Sequence, residues 1–209
     1  MPATETIVLF MIAALALNMT PGPSIAYVMS RSFGQGRTAG LISALGLGTG
    51  SFLHAVAATL GLSAVVAYSP MAYAVVKYLG AAYLVYLGVG LLRQRVVSLT
   101  DAVLPRLSLR RIYWQGVLTE TLNPKIALFF LSFLPQFVDP ARGSIAGQTL
   151  FFGFLFHVTG VPVNMMVAVA GSAIAAWFSL NPVWERIRNW LAGAVLIGLG
   201  VRLALSERR

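Results

Sequence analysis

Three long stretches without a charged residue constrain this chain more than any other feature. They run from Thr6 to Ser30, from Thr38 to Val76 and from Gly143 to Trp184. Because the hydrocarbon core of a bilayer is about 30 Å thick, a helix of around 20 apolar residues crosses it once. Each stretch is therefore long enough for one crossing or more. We predict an all-α integral membrane protein whose chain crosses the bilayer several times.

The composition agrees with a membrane protein and excludes other classes. Hydrophobic residues make up 58% of the 209 residues and charged residues 10%, against roughly 45–50% and about 25% in soluble chains. The net charge of +9 comes mostly from basic residues between apolar runs, so nucleic acid is not an expected partner. The chain has no cysteine, no HExxH motif and two distant histidines, so no metal or cofactor is expected.

Apolar runs, proline and polar loops divide the chain into spans. Six transmembrane helices are predicted, at Thr6–Ser30, Leu41–Ala67, Met71–Leu92, Ile112–Val138, Ala146–Ala176 and Asn189–Leu205. The longest polar stretch, Arg93–Arg111, is a loop rather than a domain. We therefore expect one transmembrane domain over residues 1–209.

The basic residues predict an orientation in the membrane. Nine arginines follow spans one, three and five, whereas three to five basic residues lie on the opposite side. Positive residues concentrate in cytoplasmic loops, so the Arg93–Arg111 loop is expected in the cytoplasm and both termini outside. Residues before Thr6 include no Lys or Arg, so the first run lacks the basic region of a signal peptide and is expected to remain as a span.

The two halves of the chain resemble each other. A shift of 103 residues places Pro21 on Pro124, Gly50 on Gly153 and His54 on His157, and a shift of 112 places span three on span six. The alternative is chance similarity between two apolar, glycine-rich halves. If the repeats are real, at about 1–95 and about 110–209, three spans in each give them opposite topology. Such inverted repeats are common in secondary transporters.

Spans one and four are interrupted by proline at matching places. Proline lacks an N–H and clashes with the carbonyl four residues earlier, so each helix is expected to break there. Unwound carbonyls could hold an ammonium, and the N-terminus of the next half-helix could hold a carboxylate, which together suit an amino acid. The alternative is a proline kink in a packed helix. The predicted substrate-binding residues are Asn18, Thr20, Pro21, Gly22, Pro23, Ser24, Asn123, Pro124 and Lys125.

Glu120, Lys125 and two histidines are the intramembrane groups that could carry charge. A charge in the bilayer is costly, so Glu120 and Lys125 should face the interior and pair with each other, another polar group or substrate, unless Glu120 lies near an interface. His54 follows glycines at i, i+4 spacing, which is a helix-packing stripe, and His157 follows Gly153 similarly. Glu120, His54 and His157 are the candidates for proton coupling, and a packing role for either histidine is the alternative. Asn164 is a further polar group that could pack or line a site.

The motifs around these residues resemble the LysE/RhtB family of bacterial amino-acid exporters. They are Thr20-Pro21-Gly22-Pro23, the glycine run that leads to His54, and Asn123-Pro124-Lys125 followed by Leu134-Pro135-Gln136-Phe137. The resemblance covers essentially the whole chain. It implies a multi-pass carrier in the bacterial plasma (inner) membrane that moves amino acids or close derivatives outward, coupled to the proton motive force, and thus one transmembrane transporter domain over residues 1–209.

Two other classes compete with a secondary exporter of amino acids. A non-transporting membrane protein or a lipid scramblase could share this architecture. An intramembrane enzyme would need a nucleophile with its base or paired acids, and no such motif is present. The sequence selects no particular amino acid, and it leaves the oligomeric state open, with a homo-oligomer among the options.

Overall fold

The computed structural model describes residues 2–68, 70–93, 106–180 and 182–205, and their regular structure is helical throughout. Most of the Arg93–Arg111 loop, including Arg95, lies outside these ranges, as does the C-terminus after residue 205. The all-α prediction is confirmed for the described part of the chain.

Both proline motifs break a helix. Helix α1 (Thr4–Met19) ends where Thr20 becomes extended, and α2 (Pro23–Gln35) begins with Pro23 in its first turn, where proline is tolerated because that N–H needs no partner. The two axes differ by 50°. We call residues 20–22, together with the last turn of α1 and the first turn of α2 that flank them, the first break.

The second break, residues 122–123 with the helix ends that flank them, separates α5 (Leu109–Thr121) from α6 (Pro124–Leu128). The segment continues through a π-helical turn (Phe129–Phe133) and a 3-10 turn (Leu134–Phe137), at 46° to α5. Breaks are therefore present in the segments predicted as spans one and four.

The remaining long helices are α3 (Arg37–Tyr68), α4 (Pro70–Arg93), α7 (Ile145–Leu180) and α8 (Pro182–Leu205), with a short 3-10 turn at Pro140–Arg142. Most predicted boundaries differ from these by up to four residues, and the two largest differences are at α8 and α2. Helix α8 begins at Pro182 rather than Asn189, because proline suits a first helical turn. Helix α2 runs past Ser30 to Gln35, and its Arg31 is buried rather than part of a loop.

Helix α3 is central, since it packs along both α5 and α7, while α4 packs against α8. Close approach of α3 to α5 depends on glycine. A Cβ on Gly46 would lie 2.2 Å from the Tyr113 carbonyl oxygen, and a Cβ on Gly50 would lie 2.7 Å from the Val117 carbonyl oxygen. The predicted role of this glycine stripe in helix packing is confirmed.

A cluster of phenylalanines forms the core between α1, α7 and the segment after the second break. Phe10 packs its ring against Phe129, Phe137 and Phe152 at centroid distances of 4.8–5.9 Å. Phe10, Phe129 and Phe152 are at most 2% exposed. This core fixes the position of the second break relative to α1.

The outer surface is apolar, as expected for contact with lipid. Large side chains such as Leu60 and Tyr86 are more than 70% exposed. Within the described residues, two helices are long and apolar enough to cross a membrane, or up to four when each bent pair counts as one span. The six-span count and the inverted repeat therefore stay predictions.

Candidate functional site

The two breaks meet inside the protein, where a carboxylate joins them. Ser24, in the first turn of α2, donates a hydrogen bond to Glu120 Oε2 at 2.5 Å. The Asn123 amide donates to Ser24 Oγ at 3.0 Å and to the same carboxylate oxygen at 3.4 Å. Glu120 is only 4% exposed, so its carboxylate depends on these partners. The interior position expected for Glu120 is present, rather than the alternative position near an interface.

Lys125 binds the other side of the first break. Its ammonium donates to the carbonyl oxygens of Leu17 and Thr20, at 3.2 and 3.1 Å. A Cβ on Gly22 would lie 3.3 Å from Lys125 Nζ, so the glycine leaves room for the ammonium. Lys125 is 5% exposed. Its partners are thus backbone carbonyls of the first break.

Glu120 and Lys125 are therefore not paired with each other, although the sequence allowed that pairing. Each lies instead at one end of the interrupted helix. A helix C-terminus carries partial negative charge and an N-terminus partial positive charge. Lys125 lies at the C-terminal end of α1, and Glu120 lies at the N-terminal end of α2. The second break thus supplies one charge to each half of span one.

Side-chain hydrogen bonds within each break keep its turn ordered. Asn123 is the N-cap of α6, and its side-chain oxygen accepts a hydrogen bond from the Lys125 N–H at 3.0 Å, as capping asparagines do. Pro124 follows in the first helical turn. On the facing segment, Thr20 Oγ1 donates to the Ala16 carbonyl at 2.7 Å. Both breaks are thus ordered turns.

The two histidines extend this site along α3 and α7. His54 Nε2 lies 3.1 Å from the Glu120 carbonyl oxygen, and His157 Nδ1 lies 3.1 Å from the Gly48 carbonyl oxygen. Since a carbonyl only accepts, each of these ring nitrogens is the donor. His54 therefore contacts the backbone of Glu120, and His157 links α7 to α3. Both point into the bundle, as the glycine spacing predicted.

A small cavity of about 10 Å³, partly open to the surface and with room for little more than one water molecule, adjoins Glu120. Among the residues that line it are Asn18, Glu120 and His157, all of which the sequence had selected. Asn18 reaches across from α1 to α7, where its amide donates to Thr159 Oγ1 at 3.3 Å. The cavity thus brings Asn18, Glu120 and His157 to one space.

Sequence reasoning missed Ser51 and left Asn164 undecided, and both line this cavity. The signals were present, since Ser51 adjoins the glycine stripe of α3 and Asn164 follows Pro162, which lies inside α7. An interior proline frees a carbonyl and often marks a functional bend. Gly160, Pro162 and Asn164 together form a polar interruption in an otherwise apolar helix.

A second polar cluster, also missed, joins α2 to the start of α5. The Tyr27 hydroxyl donates to the Ile112 carbonyl at 2.7 Å, and Arg31 donates to Gln115 Oε1 at 3.1 Å. Gln35 exchanges two hydrogen bonds with the backbone of Leu107. Arg31 was treated as a loop residue because it follows the apolar run directly, yet it is only 7% exposed.

This protein buries two charged side chains where two broken helices meet, within a bundle whose outer face is apolar. That arrangement is typical of membrane transport proteins. The comparison with known proteins identifies the family. Residues 15–207 match the model of the LysE type translocator family, and the chain belongs to that family. It is accordingly a multi-pass protein of the bacterial inner membrane and a transporter rather than an enzyme.

Individual relatives agree over nearly the whole chain. An uncharacterized membrane protein of Bacillus subtilis, YrhP, is 31% identical over 92% of this chain and 95% of its own length. A homoserine/homoserine lactone efflux protein of Salmonella typhimurium is 28% identical, and a leucine efflux protein of Salmonella choleraesuis is 25% identical; each match covers 95% of this chain and at least 94% of the relative. No solved structure matches significantly.

Proposed function

We propose that this protein is a secondary transporter that exports amino acids or close derivatives across the inner membrane. Membership of the LysE type translocator family supports transport, and relatives named for leucine and homoserine efflux support the substrate class and the direction. The observation that carries the proposal is the carboxylate of Glu120, which is buried where the two helix breaks meet. A charge in that place is energetically costly, so its presence there points to a functional role.

The substrate site is formed by both breaks together. Ser24 and Asn123 come from different breaks, and both bind the Glu120 carboxylate. A movement of one broken span relative to the other therefore changes the surroundings of the same charge. That coupling between helix position and a charged group is what alternating access requires.

Proton coupling is assigned to Glu120, with His54 and His157 as the neighbouring titratable groups. His54 contacts the Glu120 backbone, and His157 shares the cavity with the Glu120 side chain. Protonation of the carboxylate removes the charge that Ser24 and Asn123 stabilise, so it weakens the contact between the two breaks. In this proposal the incoming proton releases that contact once per transport cycle.

The test uses purified protein in liposomes loaded with a panel of labelled amino acids that includes leucine and homoserine. An imposed proton gradient should drive export of at least one of them. Glu120→Gln keeps the size of the side chain but removes the titratable group, so it should abolish gradient-driven export while insertion stays normal. Export of no amino acid by the parent, or undiminished gradient dependence in Glu120→Gln, His54→Gln and His157→Gln alike, contradicts the proposal.

The six-span inverted repeat has its own test. The chain has no cysteine, so single cysteines can be labelled without background. Thr38 and Ala141 are exposed residues at equivalent places in the two halves, 103 positions apart. Inverted repeats place Thr38→Cys in the cytoplasm and Ala141→Cys outside, so an impermeant maleimide added to intact cells should label only the second. Labelling of both from the same side contradicts the inversion.

A further inference from the structure

The cavity beside Glu120 contains two buried polar atoms whose hydrogen-bonding capacity is unused. Ser51 and Asn164 are 6% and 8% exposed, and within the described residues neither Ser51 Oγ nor Asn164 Oδ1 has a hydrogen-bond partner. An unsatisfied buried polar atom costs about 1–3 kcal/mol, and most buried polar atoms are paired. Two of them at one small cavity indicate that a polar group about the size of a water molecule belongs there.

The other groups at this cavity determine the charge of that ligand. Glu120 is the charged residue among those that line the cavity, and its carboxylate attracts a cation. His157 uses Nδ1 to donate to Gly48, so the Nε2 of the neutral ring is an acceptor. Asn18 uses one amide N–H on Thr159, and its amide oxygen can accept a hydrogen bond from a ligand.

The residues that line this cavity offer several acceptors: the Glu120 carboxylate, the amide oxygens of Asn18 and Asn164, the His157 Nε2 and the Ser51 hydroxyl, which can also donate. A primary ammonium group has three N–H donors and a positive charge, and it has no acceptor. A carboxylate, in contrast, would face the charge of Glu120. We infer that the cavity binds the primary ammonium group of the substrate, with Ser51 and Asn164 as its uncharged partners.

This assignment rests on the proposed export of amino acids and adds a rule of selectivity. Lys125 already donates to two carbonyls of the first break, so it is not placed to receive a substrate carboxylate at the cavity. Recognition should therefore depend strongly on the amino group and weakly on the carboxylate. An amine without a carboxylate should bind, and a hydroxy acid without an amino group should not.

Competition in liposomes tests this rule on the unmodified protein. The vesicles contain labelled leucine together with either 3-methylbutylamine, which lacks the carboxylate, or 2-hydroxy-4-methylpentanoate, which lacks the amino group. The amine should inhibit leucine export, and it should raise the melting temperature of the purified protein, because a ligand of the folded state stabilises it. The hydroxy acid should do neither at the same concentration. Equal effects of both compounds overturn the inference.

Two variants locate the effect in the cavity. Ser51→Ala and Asn164→Leu should each weaken inhibition by the amine about 10-fold or more, since a hydrogen bond to a charged group is worth about 1.5–3 kcal/mol. Matched controls are Ser43→Ala on α3 and Thr149→Val on α7, because both hydroxyls are buried and bonded to the carbonyl four residues earlier. Equal amine inhibition in all four variants overturns the inference.

Failure of the two proposals can be distinguished. If the parent exports none of the amino acid panel, the proposed function fails, but the amine can still be assayed by its effect on the melting temperature. Loss of that effect in Ser51→Ala and Asn164→Leu would retain the ammonium site without export. If leucine is exported while the amine neither inhibits nor stabilises, the ammonium site alone is wrong.

Discussion

The contact between α3 and α5 at Gly46 predicts that Gly46→Ala destabilises the protein, although helix propensity alone would favour alanine. Alanine favours a helix over glycine by about 1 kcal/mol. In Gly46→Ala, however, the new Cβ would lie 2.2 Å from the Tyr113 carbonyl oxygen, whereas real Cβ contacts essentially never fall below 3.0 Å. The two backbones must therefore separate by about 0.8 Å, and no flexible side chain is present to absorb the shift.

The expected change in the free energy of unfolding has three contributions: overpacking, a weakened hydrogen bond and helix propensity. Overpacking of this kind costs about 1–3 kcal/mol, and a rigid backbone neighbour places it at the upper end. Separation also weakens the His54 hydrogen bond to the Glu120 carbonyl, which is worth about 1 kcal/mol. After the gain of about 1 kcal/mol in helix propensity, Gly46→Ala should lose about 2–3 kcal/mol of unfolding free energy.

The measurement is unfolding in mixed micelles by titration with SDS, followed by circular dichroism. Gly61→Ala is the matched control on the same helix, because a Cβ at Gly61 would have no atom within 4 Å. The control should be as stable as the parent or up to about 1 kcal/mol more stable. If Gly46→Ala is as stable as Gly61→Ala, the close helix contact and the reasoning built on it are wrong.

Three further predictions concern the breaks and the orientation. Lys125→Met keeps the approximate length of the side chain but leaves the carbonyls of the first break without their cation. Thermal melting should therefore show that the free energy of unfolding falls by about 1–3 kcal/mol, and an unchanged melting temperature contradicts this. Alanine at positions 21–23 restores the missing N–H groups and permits a continuous helix, so export per inserted molecule, measured with quantitative blotting, should be lost; export at the parental rate would mean that the break is only a kink. A reporter enzyme active only in the periplasm and fused near Ser98 should be inactive, because five arginines surround that position, and strong activity would reverse the orientation.

Much of the fold could be predicted because its main determinants are local. The absence of charge over long runs indicates helices in lipid, and proline at positions 21 and 124 marks the breaks whatever surrounds them. The i, i+4 spacing of Gly46 and Gly50 predicted a packed face of α3. These signals lie within a few residues of one another, and they need no knowledge of which helices are neighbours.

The partners within the site could not be predicted, because they depend on the arrangement of distant helices. Glu120 and Lys125 are five residues apart, which suggested a possible pair, yet Lys125 binds carbonyls more than 100 positions earlier. Ser51 lies beside the glycines of α3, and only the position of α7 shows that it lines a cavity together with Asn164. Arg31 directly follows an apolar run, and only the approach of α5 shows that it is buried.

The ammonium of Lys125 has a consequence for the ions that this carrier can use. In several transporters with interrupted helices, the unwound carbonyls coordinate sodium, whose gradient then drives transport. In this protein the Leu17 and Thr20 carbonyls already bind a cation that is covalently part of the chain. That cation cannot dissociate into either compartment, so these two carbonyls are not available to coordinate sodium. Replacement of sodium by choline should therefore leave the transport rate unchanged.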